Sequence, residues 1–429
     1  MSDNIYTDMG GKETGKRILA KDFTVSNNTM ETQLNNNDLL IGPSGSGKTG
    51  GYVIPNIQEI VNNNSSMIVA DTKNRLSRDY KEWLESNGYR VYTVDFVHPE
   101  SSSAYNPLDY VRFDPNTGKY SEQDIMTVAN ALVSDDQQDP FWSQAAKTVV
   151  ACFISFVLEA FPDDNPNLSK VVDMYNLMIS QIAALDHVST KEVRFLEEWY
   201  MGHRDSFAVK NYLMFKGVLA TDTTWGCITQ FVTNALYAFE FDEAKTLFAV
   251  ERPTDFKLWE LGREKMVVFL NISDSDRTFD NLINLFYTQA LQALIKEADD
   301  HPENNGRLGV PVRIILDDFA ANARIPDFDK TISVIRSRAI SVSIILQSLT
   351  QLNTLYSQPA AMTIVNNCDH VVYLGGSDLE TARYVAYRVD KSVQTVLSTP
   401  LDKVWIMERG KKGMLRDRFE PYSTAPQSR

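Results

Sequence analysis

The segment Asp38-Leu39-Leu40-Ile41 runs directly into Gly42-Pro43-Ser44-Gly45-Ser46-Gly47-Lys48-Thr49, and a helical pattern follows. The octet fits G-x-x-x-x-G-K-[ST]. Glycines at this spacing let consecutive backbone N–H groups turn inward on a phosphate, and the positive end of the next helix adds to the attraction. A strand, a tight loop and a helix must therefore follow one another. On this reading Gly42, Pro43, Ser44, Gly45, Ser46, Gly47, Lys48 and Thr49 form a phosphate cradle, in which Lys48 reaches the β- and γ-phosphates of ATP and Thr49 ligates Mg2+. Pro55 falls inside the expected helix and predicts a kink, or an early end, near Ile54.

Short apolar runs recur at Asp38–Ile41, Ser66–Asp71, Arg90–Phe96, Lys265–Asn271, Val312–Asp318, Ile340–Leu346, His370–Leu374 and Val404–Glu408. Several are nearly continuous, as expected of strands covered on both faces of a parallel sheet. Helical patterns such as Arg75–Asn87 and Phe279–Ala298 lie between them. The repetition predicts a doubly wound α/β domain. From about Lys119 to Val250 apolar residues instead recur at helical spacing, for example Val149, Phe153, Phe156 and Val157. A structureless loop of that length is disfavoured, so this stretch is expected to be an inserted all-α domain. The expected division is 1–118 and 251–429 for the two parts of the α/β domain, with 119–250 as the insert.

Charge separates the insert from the rest. Between Lys119 and Lys245 nine Lys/Arg face eighteen Asp/Glu, a net −9 out of −14 for the whole chain. The basic footprint of a protein that coats nucleic acid is missing. A solvated helical surface or a basic protein partner for the insert both account for the acidity. Cys152, Cys227 and Cys368 lie far apart, which points to core packing in a reducing compartment, and neither they nor the five histidines have metal-site spacing. The apolar run Val149–Phe161 is shorter than the roughly 20 residues a bilayer needs, so a soluble chain is expected.

An acidic element should end a second buried strand, and Asp317-Asp318 after Val312–Leu316 supplies it. Asp317 would hold magnesium through water, and Asp318 would orient the attacking water as general base. Gln347, ending Ile340–Leu346, could sense a γ-phosphate. Arg336 and Arg338 precede that strand, as surface ion pairs or as an arginine supplied to a neighbouring subunit.

Together these residues resemble the type IV secretion coupling proteins, the TraG/TraD group of conjugation ATPases, in the branch found in Gram-positive mobile elements. The resemblance runs from about Asn35 to Arg418. It rests on Asn36-Asn37-Asp38 before the loop, Pro55-Asn56 after it, Asn106-Pro107, Pro140-Phe141-Trp142, Asp317-Asp318-Phe319-Ala320, Arg336-Ser337-Arg338 and Gln347-Ser348-Leu349-Thr350-Gln351-Leu352. The resemblance implies a RecA-like P-loop NTPase domain with an inserted all-α domain. Six copies would form a ring, with ATP between subunits and single-stranded DNA in the channel. It implies a relaxase or relaxosome docked on the acidic insert, delivery to the type IV secretion channel proteins, and work at the cytoplasmic face of the cell membrane. Arg336 takes the position of the family's arginine finger and Gln347 that of its γ-phosphate sensor.

Two positions depart from the family pattern. Asp318 stands where Glu is usual, and a retreat of about 1 Å can cost about 10²-fold where geometry is critical. Asp71-Thr72-Lys73-Asn74-Arg75 replaces D-P-K-G-E, keeping only Asp71 and Lys73. The membrane hairpin and long tail of many relatives have no counterpart, so a membrane partner is expected. A nucleotide-gated relaxase receptor with little turnover, and a DNA translocase of the FtsK/HerA kind, are the alternatives.

Overall fold

The computed structural model describes residues 15–133, 139–183, 192–248, 256–273, 275–317, 319 and 324–419. Its strands are β1 (Lys16–Ala20), β2 (Phe23–Ser26), β3 (Asp38–Ile41), β4 (Ser66–Asp71), β5 (Arg90–Asp95), β6 (Phe113–Asp114), β7 (Lys119–Tyr120), β8 (Met266–Asn271), β9 (Val312–Leu316), β10 (Ile340–Leu346), β11 (His370–Tyr373), β12 (Lys403–Glu408) and β13 (Met414–Asp417). The chain divides into two compact units. One holds Met1–Val97, Phe256–Arg277 and Ala290–Arg429; the other holds His98–Asp255 and Thr278–Gln289.

The first unit is built on a nine-stranded sheet in the order β13-β12-β11-β3-β10-β9-β4-β8-β5. The strands from β11 to β5 are parallel to their neighbours, and β12 and β13 close one edge antiparallel. Every residue of β3, β4, β8, β9, β10 and β11 is buried, which is why these segments read as mostly apolar runs. Edge strand β13 is mostly exposed and lacks that pattern.

Register decides what the sheet carries at its ends. Leu346 of β10 lies opposite Ile41 of β3, and Leu316 of β9 lies opposite Ile344. The loops after these three strands therefore emerge side by side at the carboxyl edge, where open α/β sheets bind ligands.

Pro55 does not end the helix. Residues Thr49–Val53 form a wide π turn, with Ile54 N–H bonded to Thr49 O, and a regular α-helix runs from Ile54 to Asn63. Proline thus falls in the first α-turn, where its missing N–H costs no hydrogen bond, and the π turn absorbs the change of register.

The opposite, amino edge of the sheet encloses a charged cluster. Asp38 Oδ2 accepts hydrogen bonds from Arg17 Nε at 2.9 Å, Tyr52 Oη at 2.6 Å and Arg313 Nη1 at 3.4 Å. Arg17 also bonds Asn27 and Asn36, tying the β1–β2 hairpin to the sheet. Its Nη2 lies 3.2 Å from His370 Nδ1. A guanidinium can only donate, so Nδ1 accepts and the ring is neutral. Burial alone would raise the Asp38 carboxyl, but Arg17 and Arg313 hold it below its ordinary range. Burial pushes His370 down.

The second unit is helical, with the β6–β7 hairpin at its margin. Its central helix, Pro140–Ala160, starts with Asp139 accepting from Phe141 N–H and with proline in its first turn. Val149, Val150, Ala151, Cys152, Phe153 and Ile154 are all fully buried, against the helices Phe207–Lys216 and Asp222–Leu236 among others. By length and composition this helix could cross a membrane, which corrects the expectation that the segment is too short; 72% of its apolar window is buried in the fold. The unit begins at His98, earlier than the 119 expected from sequence. Residues before Lys119 belong with its helices, as the bonds from Asn106 Nδ2 to Pro166 O and from Tyr105 Oη to Gln289 show. Cys152 and Cys368 are buried, but Cys227 is exposed and does not pack in a core.

Both shifts at the amino edge have the same sign: the native state binds fewer protons than the unfolded chain. Stability should decline below about pH 6.5 as His370 protonates on unfolding, and further below about pH 4 for Asp38. Asp38→Asn removes the counter-charge of two buried guanidinium groups and should cost about 3–5 kcal/mol at pH 7, while flattening the decline below pH 4. Urea unfolding across pH measures both, and wild-type stability of the variant at pH 7 would contradict this role.

Candidate functional site

The loop after β3 is held in shape by three devices. Gly45 and Gly47 take φ of +76° and +81°, a region costly for residues with a Cβ. At Gly42 a Cβ would lie 2.6 Å from Ser46 Oγ and 2.9 Å from Leu374 Cβ. Lys48 is buried, and its ammonium donates to Gly42 O at 2.8 Å and Pro43 O at 3.2 Å, drawing the side chain back over the loop.

Thr49 begins the helix, and its hydroxyl donates to Asp317 Oδ2 at 3.0 Å. Asp317 directly follows β9 and is buried. A hydroxyl and a carboxylate that already touch at the mouth of a glycine loop suit a shared hard cation beside a phosphate. A further sign of fit is Ser46 Oγ, which is buried without a hydrogen-bond partner. The residues present thus match a triphosphate with magnesium: loop amides and Lys48 for the phosphates, Thr49 and Asp317 for the metal. No group of three or more His, Cys, Asp or Glu side chains placed to hold a metal occurs among the described residues.

Gln347 follows β10, one strand away. The Gly42 N–H bonds Leu346 O at 3.1 Å, so Gln347 leaves the sheet beside the loop. With Pro43, Tyr373, Gly375, Gly376 and Asp378 it lines an open cleft of about 190 Å³.

Arg336 is not part of this constellation. It precedes β10, at the amino edge, and seven strand residues carry the chain about 20 Å before Gln347 is reached. It is exposed, with one long bond of 3.4 Å to Thr29 O. Arg338 pairs both guanidinium arms with Asp299, at 2.8 and 3.0 Å. The surface-pair reading therefore describes Arg338, and Arg336 lies at the other edge of the sheet from the phosphate loop of its own chain. Asp71 accepts from the N–H groups of Arg75 and Ser77, both at 3.1 Å, and so caps a helix; Lys73 is exposed. Asp318 lies outside the described residues.

Arg418 is a neighbour that no sequence pattern marks. It follows edge strand β13, and its Nη1 donates to Ser46 O at 2.7 Å.

The sequence profile described as type IV secretory system conjugative DNA transfer matches residues 6–398. The chain belongs to that family. Protein VirD4 of Agrobacterium fabrum is 20% identical over 354 residues, 81% of this chain and 48% of VirD4. The chain thus spans about half the length of that curated relative. The plasmid coupling protein TrwB, solved with ADP and Mg2+, superposes with a TM-score of 0.65 at 12% identity, over 91% of this chain and 87% of that one. VirB4 of Thermoanaerobacter pseudethanolicus gives 0.55 at 14% identity, over 97% and 98%. These likenesses establish a RecA-like P-loop fold with a helical domain.

If Thr49 and Asp317 share a magnesium ion, each should matter only when the metal is present. Titration calorimetry with ADP should show Asp317→Asn and Thr49→Val each losing about 1.5–3 kcal/mol of affinity in magnesium, and little in EDTA. Equal losses in both buffers would contradict the assignment.

Proposed function

We propose that this chain is the ATP-hydrolysing motor of a conjugative coupling protein, receiving a relaxase–DNA complex and driving DNA toward a type IV secretion channel. The observation that carries the reading is the Thr49–Asp317 contact of 3.0 Å at the mouth of a glycine loop closed by buried Lys48. Family membership supplies the task, and the nucleotide and magnesium in TrwB support the ligand.

The roles follow from position. Loop amides from Gly42 to Thr49 hold the phosphates, and Lys48 exchanges its two carbonyl partners for phosphate oxygens. Thr49 and Asp317 hold magnesium, which when bound neutralises charge on the β- and γ-phosphates. Gln347 orients toward the terminal phosphate. Asp318, next after Asp317, accepts a proton from the attacking water. Arg336, at the far edge of the sheet, serves a neighbouring copy, which makes catalysis depend on a ring. The family's arrangement makes that ring a homo-hexamer around single-stranded DNA at the cytoplasmic membrane face. The acidic helical unit suits a basic relaxase or relaxosome protein as its partner.

Purified protein should hydrolyse ATP only with magnesium, and faster with single-stranded DNA. Lys48→Ala should lower the rate at least about 10²-fold. Arg336→Ala alone should be inactive, and mixing it with Lys48→Ala should restore part of the activity, since each subunit then lends what the other lacks. Undiminished turnover in Lys48→Ala would end this reading. Tight nucleotide binding without turnover in the wild type would favour a nucleotide-gated receptor.

A further inference from the structure

We infer that Arg418 is a positioning residue for nucleotide binding, orienting the Ser46–Gly47 peptide of the phosphate loop from outside. The inference rests on the nucleotide reading above and adds a residue to that site.

The guanidinium donates through Nη1 to Ser46 O at 2.7 Å. A trans peptide points its C=O and the following N–H in opposite directions. Fixing Ser46 C=O outward therefore fixes Gly47 N–H toward the interior of the loop, where loop amides meet a phosphate. Gly47 accommodates this partner as well as its own φ of +81°: a Cβ there would sit 3.4 Å from Arg418 Nη1 and 3.6 Å from Cζ. The chain beyond follows the helix start, since a Cβ on Gly51 would lie 3.4 Å from Phe419 O.

Arg418 is anchored independently of the loop. Its own N–H bonds Asp402 O at 2.7 Å, and the preceding Asp417 O accepts from Lys21 N–H at 3.1 Å. The sheet's antiparallel edge thus holds the cation in place. No carboxylate pairs with it among the described residues, so its charge adds to the potential felt by an anion in the loop. A charged donor gripping a carbonyl is worth more than a neutral one, and losing it leaves the peptide free to rotate.

The test is binding of fluorescent Mg–ADP and a non-hydrolysable Mg–ATP analogue to wild type, Arg418→Ala and Arg418→Lys, with melting temperatures of the nucleotide-free proteins. Arg418→Ala should weaken both ligands by the same factor, about tenfold. Arg418→Lys keeps a charged donor and should recover most of the affinity. Melting temperatures should be unchanged. Wild-type affinity in Arg418→Ala overturns the inference while leaving the nucleotide reading intact. So does a loss matched by lowered melting temperature that Arg418→Lys fails to rescue. Wild type that binds neither ligand overturns both.

Discussion

Placing Leu346 opposite Ile41 and Leu316 opposite Ile344 is the constraint on which the site depends. Three parallel strands end within two residues of one another, so a glycine loop, a glutamine and an aspartate meet although Asp317 lies 268 positions beyond Thr49. A slip of one residue between β9 and β10 would turn their side chains over and carry Asp317 away from Thr49. That register is protected by burial on both faces: the residues of β3, β9 and β10 are all buried.

The two edges of the sheet carry charge for opposite purposes. At the amino edge, Asp38 is surrounded by Arg17, Arg313, Tyr52 and neutral His370, so its charge is spent on internal partners. At the carboxyl edge, Lys48 bonds only backbone carbonyls of its own loop, and Arg418 another. Neutral carbonyls are weak competitors for an ammonium or guanidinium group compared with a phosphate. Cations held this way remain available to an anion, whereas Arg17 does not. Arg336, about 20 Å from Gln347 along β10, stands outside this set of cations.

The buried parallel strands were legible because burial on both faces leaves them mostly apolar, with polar residues few and hydrogen-bonded: Asp38–Ile41, Ser66–Asp71 and Ile340–Leu346 match the structure at both ends. β1, β2 and β13 were not, since hairpin and edge strands carry exposed polar residues and show neither periodicity clearly. Pro55 was legible as a disturbance but not as a π turn, whose register depends on the loop before it. Spacing gave the loop and Asp317. It could not assign Asp38, whose partners come from four separate segments, nor Arg418, whose importance lies in reaching Ser46 across more than 370 residues. The helical unit's start at His98 was hidden because the residues before Lys119 join it through side-chain contacts, not through helical pattern.

A crystal structure with a non-hydrolysable ATP analogue and magnesium tests the central claim most directly. Lys48 Nζ should leave Gly42 O and Pro43 O, now at 2.8 and 3.2 Å, for phosphate oxygens, while Thr49 Oγ1 and Asp317 turn to the metal and its water shell. A cradle that stays empty at saturating nucleotide, or Asp317 directed away from the metal, would contradict the account.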